Sequence, residues 1–228
     1  MATQSSSRIQ KVKPSPTLAV TALAQQLRAE GRDVIGLAAG EPDFTTPDHV
    51  KQAAIEAINN NQTKYTAVDG TVELKQAIIS KLKRDNKLDY TPEQILVSCG
   101  GKHSFYNLTQ ALLDKGDEVI VPAPYWVSYP PMVELAEGTP IIIEASSAQD
   151  FKISPEQLEN AISDKTRMLV LNSPSNPTGA VYSEAELRAL ADVLKNHPNI
   201  LVISDDIYEA IVWNVKPYCN ILSVAPEL

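Results

Sequence analysis

The chain predicts an α/β fold in which a mostly parallel sheet carries helices on both faces. From Thr46 onward, stretches with helical periodicity alternate with short β-branched runs, as a layered α/β chain requires. Four such runs, Ile95 to Ser98, Glu118 to Val121, Met168 to Leu171 and Ile200 to Ile203, each lead into a polar loop. If these strands are parallel, their C-terminal ends converge on one crevice, the usual ligand position in open α/β sheets.

The helices have readable ends. Thr46-Pro47-Asp48 offers an N-cap, an N1 proline and an early acid, followed by Val50, Ala54, Ala57 and Ile58 on one helical face. Ser154-Pro155-Glu156-Gln157 and Ser183-Glu184-Ala185-Glu186 both match the capping box. The second helix runs over 183–196 through Leu187, Leu190 and Leu194, and Asn196-His197-Pro198 stops it before the next strand. Residues 1 to about 40 differ, with a Ser/Pro-rich arm, a helix near Leu18 to Ala29 and a strand-like Val34 to Leu37. The expected division is therefore an N-terminal arm and small-domain segment over 1–40, followed by a larger domain over 41–228.

Composition removes several classes of function. The 228 residues are 43% hydrophobic and 21% charged, ordinary for a chain that buries a core. A net charge of −8 with no Lys/Arg cluster argues against nucleic acid as a partner. Apolar runs such as Ile141 to Ile143 and Leu169 to Leu171 are far short of a bilayer span, and residues 1 to 13 carry no apolar signal core. No membrane partner and a cytoplasmic location are expected. Cys99 and Cys219 form no CxxC pair, and His49, His103 and His197 have no metal-ligand spacing, so free thiols and no metal site are expected.

The loops carry the chemistry. Cys99-Gly100-Gly101-Lys102-His103-Ser104 precedes a helix whose apolar side is Phe105, Leu108, Leu112 and Leu113, closed by Gly116. Small residues at a helix N-terminus let backbone amides approach a phosphate, although a bare strand-to-helix turn has the same pattern. A nucleoside triphosphate loop is excluded, because GxxxxGK[ST] would need glycine and Ser/Thr where Leu96 and His103 stand. Ser80-Lys81-Leu82-Lys83 matches SxxK formally but lies in a charged helix without companion motifs, and reads as a solvated face.

Trp126, fixed behind Pro122-Ala123-Pro124-Tyr125, can stack on a flat ring or serve the core. Asp205 and Tyr208 come directly after a buried strand. There a carboxylate can pair with a protonated ring nitrogen, while Tyr208 and Asn176 can donate to a ring oxygen; the alternative is Asp205 as a helix cap and Tyr208 as core.

Six ordered motifs combine these features: Gly36 to Phe44, Lys64 to Gly70, Gly100-Gly101-Lys102, Pro124 to Pro130, Asn172 to Gly179 and Ser204 to Glu209. Together they resemble the class I aminotransferases of pyridoxal phosphate fold type I, in the bacterial aspartate and aspartate/prephenate subgroup. The resemblance implies pyridoxal 5'-phosphate as cofactor and amino acid and 2-oxo acid substrates, with L-aspartate and 2-oxoglutarate as the default pair. It implies that Gly101, Lys102 and His103 contact the cofactor phosphate, largely through backbone, and that Trp126 stacks on the ring. Asp205 would hold the ring nitrogen, and Asn176 and Tyr208 the ring oxygen. Gly40, Trp126 and Asn176 would also touch the substrate carboxylate. Tyr65 resembles the tyrosine that reaches the cofactor phosphate of the neighbouring subunit, which implies a homodimer.

Asp206 stands where the subgroup usually has Glu, and Ser175 where it often has Asn. The family's Schiff-base lysine and its carboxylate-clamping arginine are expected beyond Leu228, so no residue of this chain is assigned as catalytic. The 228 residues alone are expected to be inactive, marginally stable and prone to associate through an open sheet edge. The alternatives are a shortened, non-catalytic chain that binds the cofactor or a full-length partner, and a fold type I enzyme of another reaction type.

Overall fold

Residues 4–37, 40–213 and 218–228 are described by the structure, a computed structural model. In chain order the helices and strands are α1 (Ser7–Lys11), α2 (Pro16–Ala29), α3 (Asp48–Asn59), α4 (Val72–Lys81), α5 (Gly101–Leu112), β1 (Glu118–Ala123), α6 (Tyr129–Leu135), β2 (Thr139–Glu144), α7 (Pro155–Ala161), β3 (Thr166–Asn172), α8 (Glu184–Leu194), β4 (Leu201–Asp205) and α9 (Ile221–Val224). Backbone proximity divides them into two compact units, Lys13–Val68 and the remainder, Met1–Val12 with Asp69–Leu228. These boundaries differ from a division at residue 40.

The larger unit is built on a parallel four-stranded sheet of order β2-β1-β3-β4. Because side chains alternate across a strand, consecutive residues serve different cores. Ile120, Leu169 and Leu171 join Leu158 of α7, Leu187, Leu190 and Leu194 of α8 and Ile221 of α9 on one face. Val119, Val121, Met168 and Val170 join Phe105 of α5 and Tyr129, Met132 and Val133 of α6 on the other. Near-continuous apolar strands are the expected signature of a sheet covered on both sides.

The chain leaves β1 for β2 on one side and returns to β3 on the other, so the strand order reverses between β1 and β3. A crevice opens beyond the carboxyl ends of the strands at such a point. The loops 124–128 and 173–183 leave β1 and β3 there.

Both capping boxes form. Ser154 Oγ accepts from Gln157 N at 3.1 Å while Gln157 Oε1 accepts from Ser154 N at 2.8 Å. Ser183 and Glu186 repeat the exchange at 3.3 and 2.7 Å.

Several local expectations are corrected. Ile95 to Ser98 is not a strand: Val97 N donates to Asp69 O at 3.0 Å, but no strand lies alongside among the described residues to extend that bond into a ladder. The strand absent from the expected set is β2, whose Ile141 to Ile143 reads in the sequence only as an apolar run. Val34 to Leu37 is irregular, with Ile35 and Leu37 exposed. The N-cap of α3 is Pro47 rather than Thr46, and no side chain caps it. Residues 183–196 are helical only over α8, Glu184–Leu194. Ser80 to Lys83 spans the end of α4 and a π-helical turn, Leu82–Asn86, and Lys81 is not simply solvated, because its ammonium pairs with Glu209.

In the unit Lys13–Val68, α2 opens on Ser15, whose hydroxyl accepts from Leu18 N, with Pro16 at the first helical position. The apolar face of α3 stays exposed at Val50, Ile55 and Ile58. Among the described residues no helix is long and apolar enough to cross a membrane.

Candidate active site

The crevice beyond β1, β3 and β4 is a cleft of about 290 Å³ lined by Gly100, Gly101, Lys102, Trp126, Tyr129, Asn172, Asn176, Asp205, Ile207 and Tyr208. Six residues singled out from the sequence, Gly101, Lys102, Trp126, Asn176, Asp205 and Tyr208, are therefore brought together.

Asp205 is the last residue of β4 and lies opposite Asn172, the last residue of β3. Asn172 Nδ2 donates to Asp205 O at 2.9 Å, and Asn172 Oδ1 accepts from Asn176 N at 2.8 Å. One side chain thus ties the Asp205 backbone to the loop that carries Asn176. The carboxylate is held separately: Ile207 N donates to Oδ1 at 3.2 Å and Tyr129 Oη donates to Oδ2 at 2.5 Å.

Tyr129 is 2% exposed and sits between two aromatics, with ring centroids 5.0 Å from Phe105 and 5.3 Å from Trp126, the latter edge-on at 82°. Edge-to-face packing suits the aromatic quadrupoles and fixes the tilt of the indole. Burial first, then the charge of Asp205 and the bond to it, with a smaller effect from Tyr208, push the Tyr129 hydroxyl far above the ordinary tyrosine range. It stays protonated and remains a donor.

At the other end of the cleft, α5 begins at Gly101 after Gly100, which adopts φ +88°. The amides of Gly101 and Lys102 fall in the first turn, where a helix has no carbonyl of its own to offer them. An anion fits there for that reason and for the favourable helix dipole. The Lys102 ammonium lies over the Trp126 ring, 5.0 Å from its centroid.

His103 does not line the cleft. Its N–H bonds Gly100 O at 3.0 Å and its Nδ1 accepts from Cys99 N at 3.2 Å, so amide and ring both brace the loop. Gly40 and Tyr65 lie in the other unit, both exposed, and Ala38 and Ala39 of the same glycine motif fall outside the described residues.

Tyr129, Asn172 and Ile207 are the cleft residues to which the sequence alone assigns no role. The available signals are the spacing Trp126-x-x-Tyr129 and the position of Asn172 where β3 ends.

This donor set fits pyridoxal 5'-phosphate. It has amides and a lysine for a dianion, an indole for a flat ring, an anchored carboxylate for a ring nitrogen, and an amide and a phenol for a ring oxygen. The class is confirmed by comparison: residues 32–228 match the family Aminotransferase class I and II, and the chain belongs to it. Pyridoxal 5'-phosphate is the cofactor of that family.

The chain is 60% identical over 223 residues to an aspartate/prephenate aminotransferase of Nitrosomonas europaea, covering 98% of this chain and 56% of that protein. It is 51% identical over 221 residues to an aspartate aminotransferase of Bacillus subtilis, covering 97% of this chain and 56% of that one. The aspartate aminotransferase of Rhizobium meliloti superposes with a TM-score of 0.96 at 46% identity, over 100% of this chain and 57% of that structure. The Thermus thermophilus enzyme with maleate gives 0.94 at 46% identity, over 99% and 59%. The fold is therefore fold type I. The chain spans about half the length of the curated relatives it matches.

Proposed function

We propose that the cleft holds pyridoxal 5'-phosphate and that the whole protein transfers an amino group from L-aspartate to 2-oxoglutarate. The observation that carries this reading is the Asp205 carboxylate, held by Tyr129 Oη and Ile207 N while lining a cleft that also presents Trp126, Asn176 and Tyr208.

The amides of Gly101 and Lys102 bind the phosphate, with the Lys102 ammonium turning from the indole to add charge. Trp126 covers one ring face and excludes water from it. Asp205 keeps a proton on the ring nitrogen, and Asn176 and Tyr208 donate to the ring oxygen. When bound, the cofactor supplies an electron-poor ring that accepts the electron pair left as the substrate Cα–H bond breaks. Trp126 and Asn176 orient the substrate carboxylate. Aspartate is favoured because relatives at 51–60% identity carry that name, and maleate, present in the Thermus structure, is a dicarboxylate.

A homodimer belongs to the same proposal, with the fully exposed Tyr65 as the residue that reaches a second subunit's phosphate site. The free thiols Cys99 and Cys219 support a reducing, cytoplasmic setting. The 228 residues alone are proposed not to turn over, since Lys102, the one lysine lining the cleft among the described residues, belongs to its phosphate end.

Pyridoxamine 5'-phosphate, which cannot condense with lysines, tests the cleft by tryptophan fluorescence. Saturable quenching that weakens about tenfold in Asp205→Asn is expected, equivalent to one lost charged hydrogen bond. Binding indifferent to both Asp205→Asn and Trp126→Leu would overturn the site. Aspartate-dependent glutamate formation by the whole protein tests the reaction, and its absence in a protein that binds the cofactor would overturn the substrate assignment.

A further inference from the structure

Asp205 and Tyr208 share one short turn after β4, and the side chains beside them are gripped from elsewhere in the chain. Glu209, next to Tyr208, has both carboxylate oxygens engaged: Oε1 pairs with the Lys81 ammonium at the end of α4, and Oε2 accepts from Asn86 Nδ2 at 2.7 Å. Lys81 also donates to Asn86 Oδ1 at 2.9 Å, closing a three-membered ring of side chains.

Asn86 is buried at the end of the π-helical turn Leu82–Asn86, and Lys87 comes next with φ +61°. A helix that widens into a π turn shifts the register of its downstream residues, and such turns recur at functional sites. Here the widening places Asn86, five residues after Lys81, on the same carboxylate.

Asp206, next to Asp205, is held in the same way. Ser204 Oγ donates to its Oδ1 at 2.6 Å, and the buried Asn220 donates to its Oδ2 at 3.1 Å. Ser223 Oγ donates to Asn220 Oδ1 at 2.9 Å and lies 3.5 Å from Asn86 O, between the two grips. Among the described residues, the turn's own backbone bonds are Glu209 N to Asp206 O at 2.9 Å and Ile211 N to Tyr208 O at 2.8 Å. Long-range side-chain partners therefore add to the bonds made within the turn.

We infer that Glu209, clamped by Lys81 and Asn86, is a positioning residue that sets where the Tyr208 hydroxyl enters the cleft. The proposal rests on the cofactor reading above. Glu209 does not line the cleft, so it acts only through its neighbour. A carboxylate with two partners is costly to disturb, because removing one group leaves the others unpaired. The energetic consequence should be coupled to Tyr208 rather than spread evenly over the fold.

The test is a double-mutant cycle on the full chain, read by pyridoxamine 5'-phosphate affinity and by hydrogen exchange. Glu209→Ala is expected to weaken affinity about tenfold, but less than about twofold in a Tyr208→Phe background, where no hydroxyl remains to be positioned. Exchange at the amides of Glu209 and Ile211 should rise in Glu209→Ala without added ligand. Glu209→Gln, which keeps an acceptor for Asn86, should recover part of both losses. Equal weakening in the two Tyr208 backgrounds, or unchanged exchange at Glu209 and Ile211, would overturn the positioning role. That result with Asp205→Asn still impairing affinity would leave the cofactor site standing. Affinity indifferent to Asp205→Asn would instead remove the site on which the proposal rests, and the proposal with it.

Discussion

Tyr129 Oη donates to Asp205 Oδ2 at 2.5 Å, joining the first residue of α6 to the last residue of β4 across the mouth of the sheet. A neutral donor on a carboxylate is among the stronger hydrogen bonds, and the aromatic packing on Tyr129 leaves the hydroxyl little freedom to point elsewhere. Tyr129→Phe removes the donor while keeping the ring. Its expected cost is about 1–2 kcal/mol of unfolding free energy, at the lower end for a bond to a charged group because Asp205 is only partly buried. Pyridoxamine 5'-phosphate affinity should fall as well. Urea unfolding and fluorescence titration check the two arms, and a Tyr129→Phe chain unchanged in both would reduce the residue to core packing.

A second tyrosine predicts an alkaline weakness. Tyr182 is buried, its Oη accepts from Ile153 N at 2.9 Å, and burial pushes its hydroxyl up to about 12. Below pH 10 the folded and unfolded chains both keep this proton, and the contribution to stability is complete. Between about 10 and 12 the unfolded chain releases the proton first, so stability falls as pH rises through that window. Tyr182→Phe should be less stable than the parent at pH 8, having left Ile153 N unpaired. By pH 11 the difference between the two should shrink by about 1 kcal/mol. A constant difference across that range would contradict the assignment.

Most of the parallel sheet could be read from the sequence because Glu118 to Val121, Met168 to Leu171 and Ile200 to Ile203 are bounded apolar runs, and the helices of Ser154 and Ser183 because their capping boxes are local. Ile95 to Ser98 has the same local appearance as those strands. What it lacks is a partner, and partnership is a tertiary property. The widening of the helix after Lys81 is hidden for a similar reason: Lys81 and Asn86, on either side of it, bond to Glu209, more than a hundred residues away in sequence. Within the cleft, Asp205, Tyr208, Asn176 and Trp126 could be named from chemistry plus resemblance. Tyr129 could not, because a buried phenol in an apolar run looks like core until the carboxylate it faces is known.

Gly70 shows a constraint of pure shape. It adopts φ +109°, and a Cβ built there would lie 2.5 Å from Val97 Cγ2. Gly70→Ala therefore combines a backbone conformation unfavourable to L-residues with a steric collision, and should destabilise by at least about 1 kcal/mol. Val97→Ala in the same chain should remove the Cγ2 contact but neither the backbone term nor the remaining approach to Val97 Cβ at 2.9 Å, restoring only part of the loss. Full restoration would mean that the positive φ costs nothing, and no restoration would place the collision elsewhere. Thermal unfolding of the two single variants and the double variant decides it.

The phosphate end of the cleft makes the last prediction, because two different sources of attraction meet there. The amides of Gly101 and Lys102 belong to the helix terminus and cannot be deleted by changing a side chain, whereas the Lys102 ammonium is exposed and can. An exposed charge acts through a screened field, with a Debye length of about 10 Å at 0.1 M salt and about 3 Å at 1 M. Lys102→Ala should therefore weaken pyridoxamine 5'-phosphate binding several-fold in dilute buffer, and the gap from the parent chain should narrow as salt is raised. Residual binding at high salt would then measure what the helix terminus supplies. If Lys102→Ala abolishes binding at every salt concentration, the ammonium rather than the backbone is the anchor, and a loop of glycines at the start of α5 would have to be explained by chain geometry alone.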